Sequence, residues 1–267
     1  MVEEQFGGIA PASPVTEYVD WVGRRLLPFS LRGSDPHKFI VLNDSKVINA
    51  FALGNGNVYI TKGLLNLLDD EAELAEVLGH ETGHYGHRHI AAQMDNSIGL
   101  GLLLALGEGF LLQSKGKKTS AEQQETIDQA NKLAMGLVIN GFQRSQELEA
   151  DQHGLNAIVK AGYDPMGSVR TFQKFQKLET EVPALESFFQ SHPTATTRVS
   201  DLQASIAKQY PGVIGDNGRE RFQSIVNGGS TLAEANDTIL GIPRLYAIAG
   251  GVALAATTGL VIASVVR

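Results

Sequence analysis

The stretch that decides the fold is Leu78-Gly79-His80-Glu81-Thr82-Gly83-His84-Tyr85-Gly86-His87-Arg88-His89. On a helix, residues four apart share a face with Cβ atoms about 5–6 Å apart. His80 and His84 can therefore both reach one zinc ion at about 2.0–2.1 Å. Glu81 lies beside them, too far round to be a natural ligand and well placed to take a proton from an attacking water. The surroundings read as a buried helix. Asp70 followed by Glu73 is a capping-box-like start. Leu74, Val77 and Leu78 form an apolar stripe, which His80 and His84 continue, so both imidazoles should point inward. Gly83 costs about 1 kcal/mol relative to alanine in a helix interior, so another backbone is expected to cross close by. A polar surface helix would use neither feature. The stretch predicts a metal site.

Working outward, 267 residues suffice for a sizeable core, and a composition 43% hydrophobic and 19% charged is that of a globular protein. A net charge of −7 leaves no basic field to hold phosphates, which excludes a nucleic-acid partner. The absence of cysteine excludes disulfides, thiolate ligands and cysteine nucleophiles. Met1-Val-Glu-Glu-Gln-Phe has neither the basic nor the apolar region of a signal peptide.

Pro14 to Leu27 reads as an amphipathic helix. Three β-like runs follow, Phe39–Leu42, Val47–Leu53 and Val58–Thr61, the last two joined by Gly54-Asn55-Gly56-Asn57, a hairpin signal. They predict a small antiparallel sheet leading through Gly63–Leu68 into the metal helix. Its edge is assigned to Ala50, Phe51, Ala52 and Leu53, where an extended peptide could add as a strand; an ordinary internal strand is the alternative. Ile98–Leu106 is apolar but too short for a bilayer, and reads as a core helix, with a flap over the site as the alternative. Lys115–Glu122 reads as a loop, and a long helical pattern runs from Ala121 towards Lys160. Ala161-Gly162-Tyr163-Asp164-Pro165 supplies turn chemistry. Helices are expected over Met166–Glu179 and Thr194–Lys208, with His192 in a loop before Pro193. Residues 245–266 carry no charge and are long enough to cross a membrane, yet weakly hydrophobic; a membrane span and a soluble hairpin are alternatives.

A catalytic zinc takes three protein ligands. A third histidine on the same segment fails, because the positions it needs are His87 and Ile90. Arg144-Ser145-Gln146-Glu147-Leu148-Glu149-Ala150-Asp151 instead offers Glu147 and Asp151 on one helical face. Glu147 can ligate while Asp151 hydrogen-bonds the outer nitrogen of a ligating histidine. His87 is an alternative ligand with less support. His89 reads as structural, and His37 and His153 as ordinary histidines.

Taken in order, HExGHxxxRH at His80–His89, RxxExEAD at Arg144–Asp151, the Ala-Gly-Tyr-Asp-Pro turn and His192-Pro193 followed by Arg198 resemble the HtpX/BepA-like zinc metallopeptidases of family 48. Asn49-Ala50-Phe51-Ala52-Leu53 and Tyr59-Ile60-Thr61-Lys62-Gly63 add to the likeness, which covers Glu3 to Leu202. The resemblance implies an α+β, predominantly helical gluzincin fold with one zinc per chain. It implies His80, His84 and Glu147 as ligands, Glu81 as the base and Asp151 behind a ligand. It also places His192 where the imidazole approaches the metal or the developing oxyanion. Members built around several membrane spans match poorly, since this chain has at most one such run.

The expected organisation is a catalytic domain over residues 1–240 and an apolar segment over 245–266. The expected activity is zinc-dependent hydrolysis of peptide bonds in protein substrates, in membrane or envelope quality control on the periplasmic side. The alternative is a non-catalytic zinc-binding chaperone or adaptor. Glu81 discriminates, because a structural zinc has no use for a base there.

Overall fold

A computed structural model describes residues 2–97, 141–178, 186–192, 197–232 and 234. The expectations for Ile98–Leu106, Lys115–Glu122, the helical pattern before residue 141 and the segment 245–266 lie outside the described residues. Among the described residues no helix is long and apolar enough to cross a membrane.

The helices that precede the sheet are α1 (Val2–Gln5) and α2 (Pro14–Leu26). Ser13 and Thr16 cap α2 reciprocally, each side-chain oxygen accepting from the other's backbone N–H. Tyr18, Val19, Val22 and Leu26 then form the buried stripe. Strands β1 (Lys38–Leu42), β2 (Ala50–Ala52) and β3 (Asn57–Thr61) make one sheet in the order β1-β3-β2.

The expected antiparallel sheet is corrected here to a mixed one. β2 and β3 are the anticipated antiparallel hairpin, but β1 runs parallel to β3. The reason lies in the connector. Asp44 Oδ1 accepts from the backbone of Lys46 and Val47, turning the chain after β1. Thr61 Oγ1 then accepts from Asn49 N at 3.1 Å and donates to Val47 O at 2.7 Å. These bonds carry the connector across the C-terminal end of β3, so β2 emerges on the far side. Val47 spends both backbone groups there, and β2 begins only at Ala50. The free flank of β1 is covered by the N-terminal segment through Ala10 N to Val41 O and Asn43 N to Gly8 O.

β3 runs into α3 (Lys62–Leu67) and then α4 (Glu71–Gly86), whose N-cap Asp70 accepts from Glu73 N at 3.0 Å. After α5 (His89–Ser97) come α6 (Arg144–Lys160), α7 (Met166–Leu178), α8 (Glu186–Ser191), α9 (Arg198–Gln209) and α10 (Arg219–Val226). α4 runs through the centre with nearly every residue buried. Its closest neighbour is α6. A Cβ on Gly83 would stand 3.0 Å from Ala150 Cα, and one on Gly79 3.1 Å from Gly154 Cα. That contact accounts for glycine in a helix interior: the two backbones meet without side chains between them. Around this crossing Leu78, Leu155, Ile158, Phe172, Phe175 and Phe222 close the core.

Candidate metal centre

The α4–α6 crossing brings the C-terminal half of α4 against the first turns of α6. His80 Nε2 and His84 Nε2 face each other at 3.0 Å. Glu147 Oε1 lies 3.3 Å from His84 Nε2, and Oε2 lies 3.6 Å from His80 Nε2. His192 follows the short helix α8, held by its N–H to Phe188 O at 2.7 Å. Its Nδ1 is 3.3 Å from His80 Nε2 and 3.2 Å from Glu147 Oε1. His80, His84, Glu147 and His192 are all buried and together could hold a metal ion.

The outer nitrogens are committed elsewhere. His80 Nδ1 donates to Asp151 Oδ1 at 2.9 Å, which leaves a lone pair on Nε2. His84 Nδ1 meets His89 Nδ1 at 2.9 Å, and the His84 ring lies against Phe142 with centroids 3.9 Å apart. Burial pushes the His84 pKa well below its ordinary value, only partly opposed by Glu147, so the ring is neutral. Burial would raise the Glu147 carboxyl, but the His192 and Arg198 charges reverse this and hold it well below the usual carboxylate range. Asp151 is lowered likewise, burial being outweighed by Arg198 and His80. For His192 burial acts downward, yet Glu147 and Glu81 bring the net shift upward.

With both outer nitrogens held by partners, His80 Nε2 and His84 Nε2 are the ring atoms turned to the shared chamber, where a cation can take a lone pair from each. Ligands of a tetrahedral zinc at about 2.0–2.1 Å stand roughly 3.3–3.4 Å apart, close to the spacings seen here. Further, Glu147 Oε2 and His192 Nε2 are buried without a hydrogen-bond partner. Glu147 Oε2 does lie 2.8 Å from Arg198 Nη1, but off the N–H direction, so the pair is an ionic contact with both atoms left unsatisfied. Glu147 and Asp151 face one guanidinium, that of Arg198. The donor set fits the metal.

Glu81 occupies the side of the chamber towards the sheet. Its Oε2 accepts from Ala52 N at 2.9 Å, and its Oε1 lies 3.4 Å from His192 Nε2. The Ala52 N–H therefore points away from β3, and the β2 edge abuts the site with Ala50, Phe51, Ala52 and Leu53 all buried. His87 is not brought in; it caps α4 at an exposed position.

Two contributors were missed in the sequence. Arg198 clamps Asp151 through Nε to Oδ2 at 2.8 Å and Nη2 to Oδ1 at 2.6 Å, with its guanidinium 3.9 Å over the Phe172 ring. Its place in the His-Pro-x-x-x-x-Arg spacing was the available signal. His89 holds the outer nitrogen of His84, and its position in the HExGHxxxRH motif carried no indication of that partner.

The model of peptidase family M48 matches residues 14–206. The chain belongs to peptidase family M48. The beta-barrel assembly-enhancing protease of Yersinia pestis is 30% identical over 202 residues, 74% of this chain and 40% of that protein. The mitochondrial metalloendopeptidase OMA1 of Arabidopsis thaliana is 30% identical over 171 residues, 64% of this chain and 32% of that protein. Metalloprotease LoiP of Escherichia coli is 28% identical over 159 residues, 60% of this chain and 59% of its own length. The match thus spans less than half of the first two relatives. Within this M48 chain the matched span includes every group of the candidate centre, from His80 to Arg198.

Proposed function

We propose that this M48 chain is a zinc-dependent endopeptidase that hydrolyses peptide bonds of protein substrates. One observation carries the reading: two imidazole nitrogens and a carboxylate converge in a buried chamber, with Glu81 beside them on the same helix turn. His80, His84 and Glu147 are the ligands of one zinc per chain, a donor set of imidazole nitrogen and carboxylate oxygen that suits zinc. Bound zinc supplies a Lewis acid for the scissile carbonyl and acidifies the attacking water.

The remaining chemistry belongs to the chain. Glu81 takes the proton of the attacking water and delivers it to the leaving amine. Its second oxygen, held by Ala52 N–H, fixes the carboxylate against the sheet edge. Asp151, itself clamped by Arg198, keeps the His80 proton on Nδ1. His192 has two roles open to one ring. Seated among the ligand atoms it excludes water, and swung outward it donates to the developing oxyanion. An extended substrate adds at Ala50–Leu53, where backbone groups on the Ala52 side face the site.

Residues 1–240 form the catalytic domain in this reading. The activity is placed in membrane or envelope quality control, on the periplasmic side; the name beta-barrel assembly-enhancing protease, carried by relatives, supports a protease role. The test is casein cleavage by the full chain before chelation, after chelation and after zinc is returned. Cleavage lost and then restored is the expected result. Cleavage that survives complete metal removal contradicts it, and casein bound but uncut by the zinc-loaded chain points to an adaptor.

A further inference from the structure

Behind the catalytic chamber lies a second group of ligand-type side chains that the chemistry above does not use. α4 ends at Gly86, His87 caps it, and Arg88 adopts φ 57° before α5 begins at His89. The left-handed region costs a non-glycine residue about 1–2 kcal/mol. This sharp reversal brings the two flanking imidazoles nearly parallel, with centroids 5.4 Å apart and an interplanar angle of 14°. Both turn towards one oxygen of Glu149 on α6: His89 Nε2 is 3.0 Å and His87 Nδ1 3.8 Å from Oε2. One ligand atom from each residue lies within 4.8 Å of the others.

Access and chemistry agree. The side chains of His87 and Glu149 are 31% and 56% exposed, so an ion can enter from solvent. His153, the next imidazole, does not compete, because its Nε2 accepts from Leu31 N and its Nδ1 bonds Gly79 O. Two imidazoles and one carboxylate suit zinc, copper or nickel rather than calcium or magnesium.

We propose that His87, His89 and Glu149 form a second, solvent-loaded site for a transition-metal cation such as zinc, distinct from the catalytic centre. His89 joins the two. Ligation through its Nε2 leaves the ring's proton on Nδ1, which then donates to His84 Nδ1 at 2.9 Å and moves the His84 proton to Nε2. Loading the outer site thus withdraws His84 from the catalytic set and leaves His80, Glu147 and His192 to hold the catalytic ion. An ion on one face of this ring therefore acts on the hydrogen bond that orients a catalytic ligand. Disturbing such a partner typically costs about 10–100-fold in affinity or activity, so excess zinc inhibits the enzyme through this site.

The experiment is equilibrium dialysis of the full chain against excess zinc, comparing wild type with His87→Ala. His87 is the exposed histidine of this group; its ring stacks on His89, so the turnover of each protein is referred to its own value before zinc is added. Wild type should take up two equivalents and the variant one, and excess zinc should lower casein turnover about tenfold in wild type alone. Copper(II) added to chain already holding one zinc should show nitrogen ligation in its resonance spectrum, lost in His87→Ala. One equivalent in both proteins, or two in both, overturns the outer site and leaves the catalytic reading standing. A chain that takes up no zinc at all overturns both.

Discussion

The two halves of α4 are equally buried and equally rich in ionisable groups, yet they are built to opposite ends. In the first turn and its cap the carboxylates of Asp70, Glu71 and Glu73 are each answered. Asp70 receives Glu73 N and Arg170 Nη2, each at 3.0 Å. Glu71 accepts from Tyr18 at 2.6 Å, Tyr163 at 2.7 Å and Arg221, while Glu73 pairs with Lys174 at 2.7 Å. Those bonds tie α2, α7 and α10 to the central helix. In the C-terminal half imidazole nitrogens face one another, and the adjoining Glu147 Oε2 and His192 Nε2 have no hydrogen-bond partner. Burial does not separate scaffold from site here; what faces each carboxylate does. A buried polar group left without a partner costs about 1–3 kcal/mol, so the unsatisfied end marks where a cation belongs. Glu76 sits at the boundary, one oxygen bonded to Ser168 at 2.6 Å and the other unpartnered.

The contrast can be broken by treating one carboxylate on each side. Glu147→Ala should abolish turnover and release the metal, and it also deprives Arg198 of a partner. Glu71→Gln should leave metal content unchanged but lower stability by about 3 kcal/mol, since it uncouples the buried Arg221. Metal analysis after dialysis together with thermal unfolding reads both. Metal retained at wild-type affinity in Glu147→Ala, or lost from a folded Glu71→Gln, would erase the distinction.

A smaller effect is expected from His192→Ala. Zinc should remain through His80, His84 and Glu147, while turnover falls by about 10²–10³, the usual loss of an oxyanion donor. A rise in turnover would show that water exclusion by the ring dominates instead. No change in either quantity removes His192 from the site.

The smallest effect lies at Glu76, whose carboxyl burial pushes up to about 8. Between the ordinary carboxylate range and that value the unfolded chain ionises and the folded one does not. The unfolded state then binds fewer protons, so this group makes stability fall as pH rises towards 8. Glu76→Gln should flatten that trend by about 3–5 °C in Tm per pH unit within the window, where each unit is worth about 1.4 kcal/mol. Identical slopes for wild type and variant would show that Glu76 ionises freely in the fold.

The site was more legible in the sequence than the sheet, and the reason is range. His80, Glu81 and His84 lie on one helix, and Glu147 and Asp151 on another, so helical spacing alone fixes which side chains share a face. Gly83 announced a close backbone, which the Ala150 contact supplies. The parallel pairing of β1 with β3 was hidden, because it depends on Thr61 capturing a connector that precedes it by 12 residues. The Arg198 clamp on Asp151 joins residues 47 apart through a bond that no periodicity encodes. Similarly, the partner of His89 appears only once Arg88 has turned the chain.

The central claim is that Glu81 acts as the base of a metal centre it does not ligate. It is tested most directly by measuring metal content and casein turnover on the same preparation of Glu81→Gln. The variant keeps an oxygen for Ala52 N–H, so fold and zinc content should match wild type while turnover falls by about 10²–10⁴. Turnover at the wild-type rate, or loss of the metal together with the activity, would contradict it.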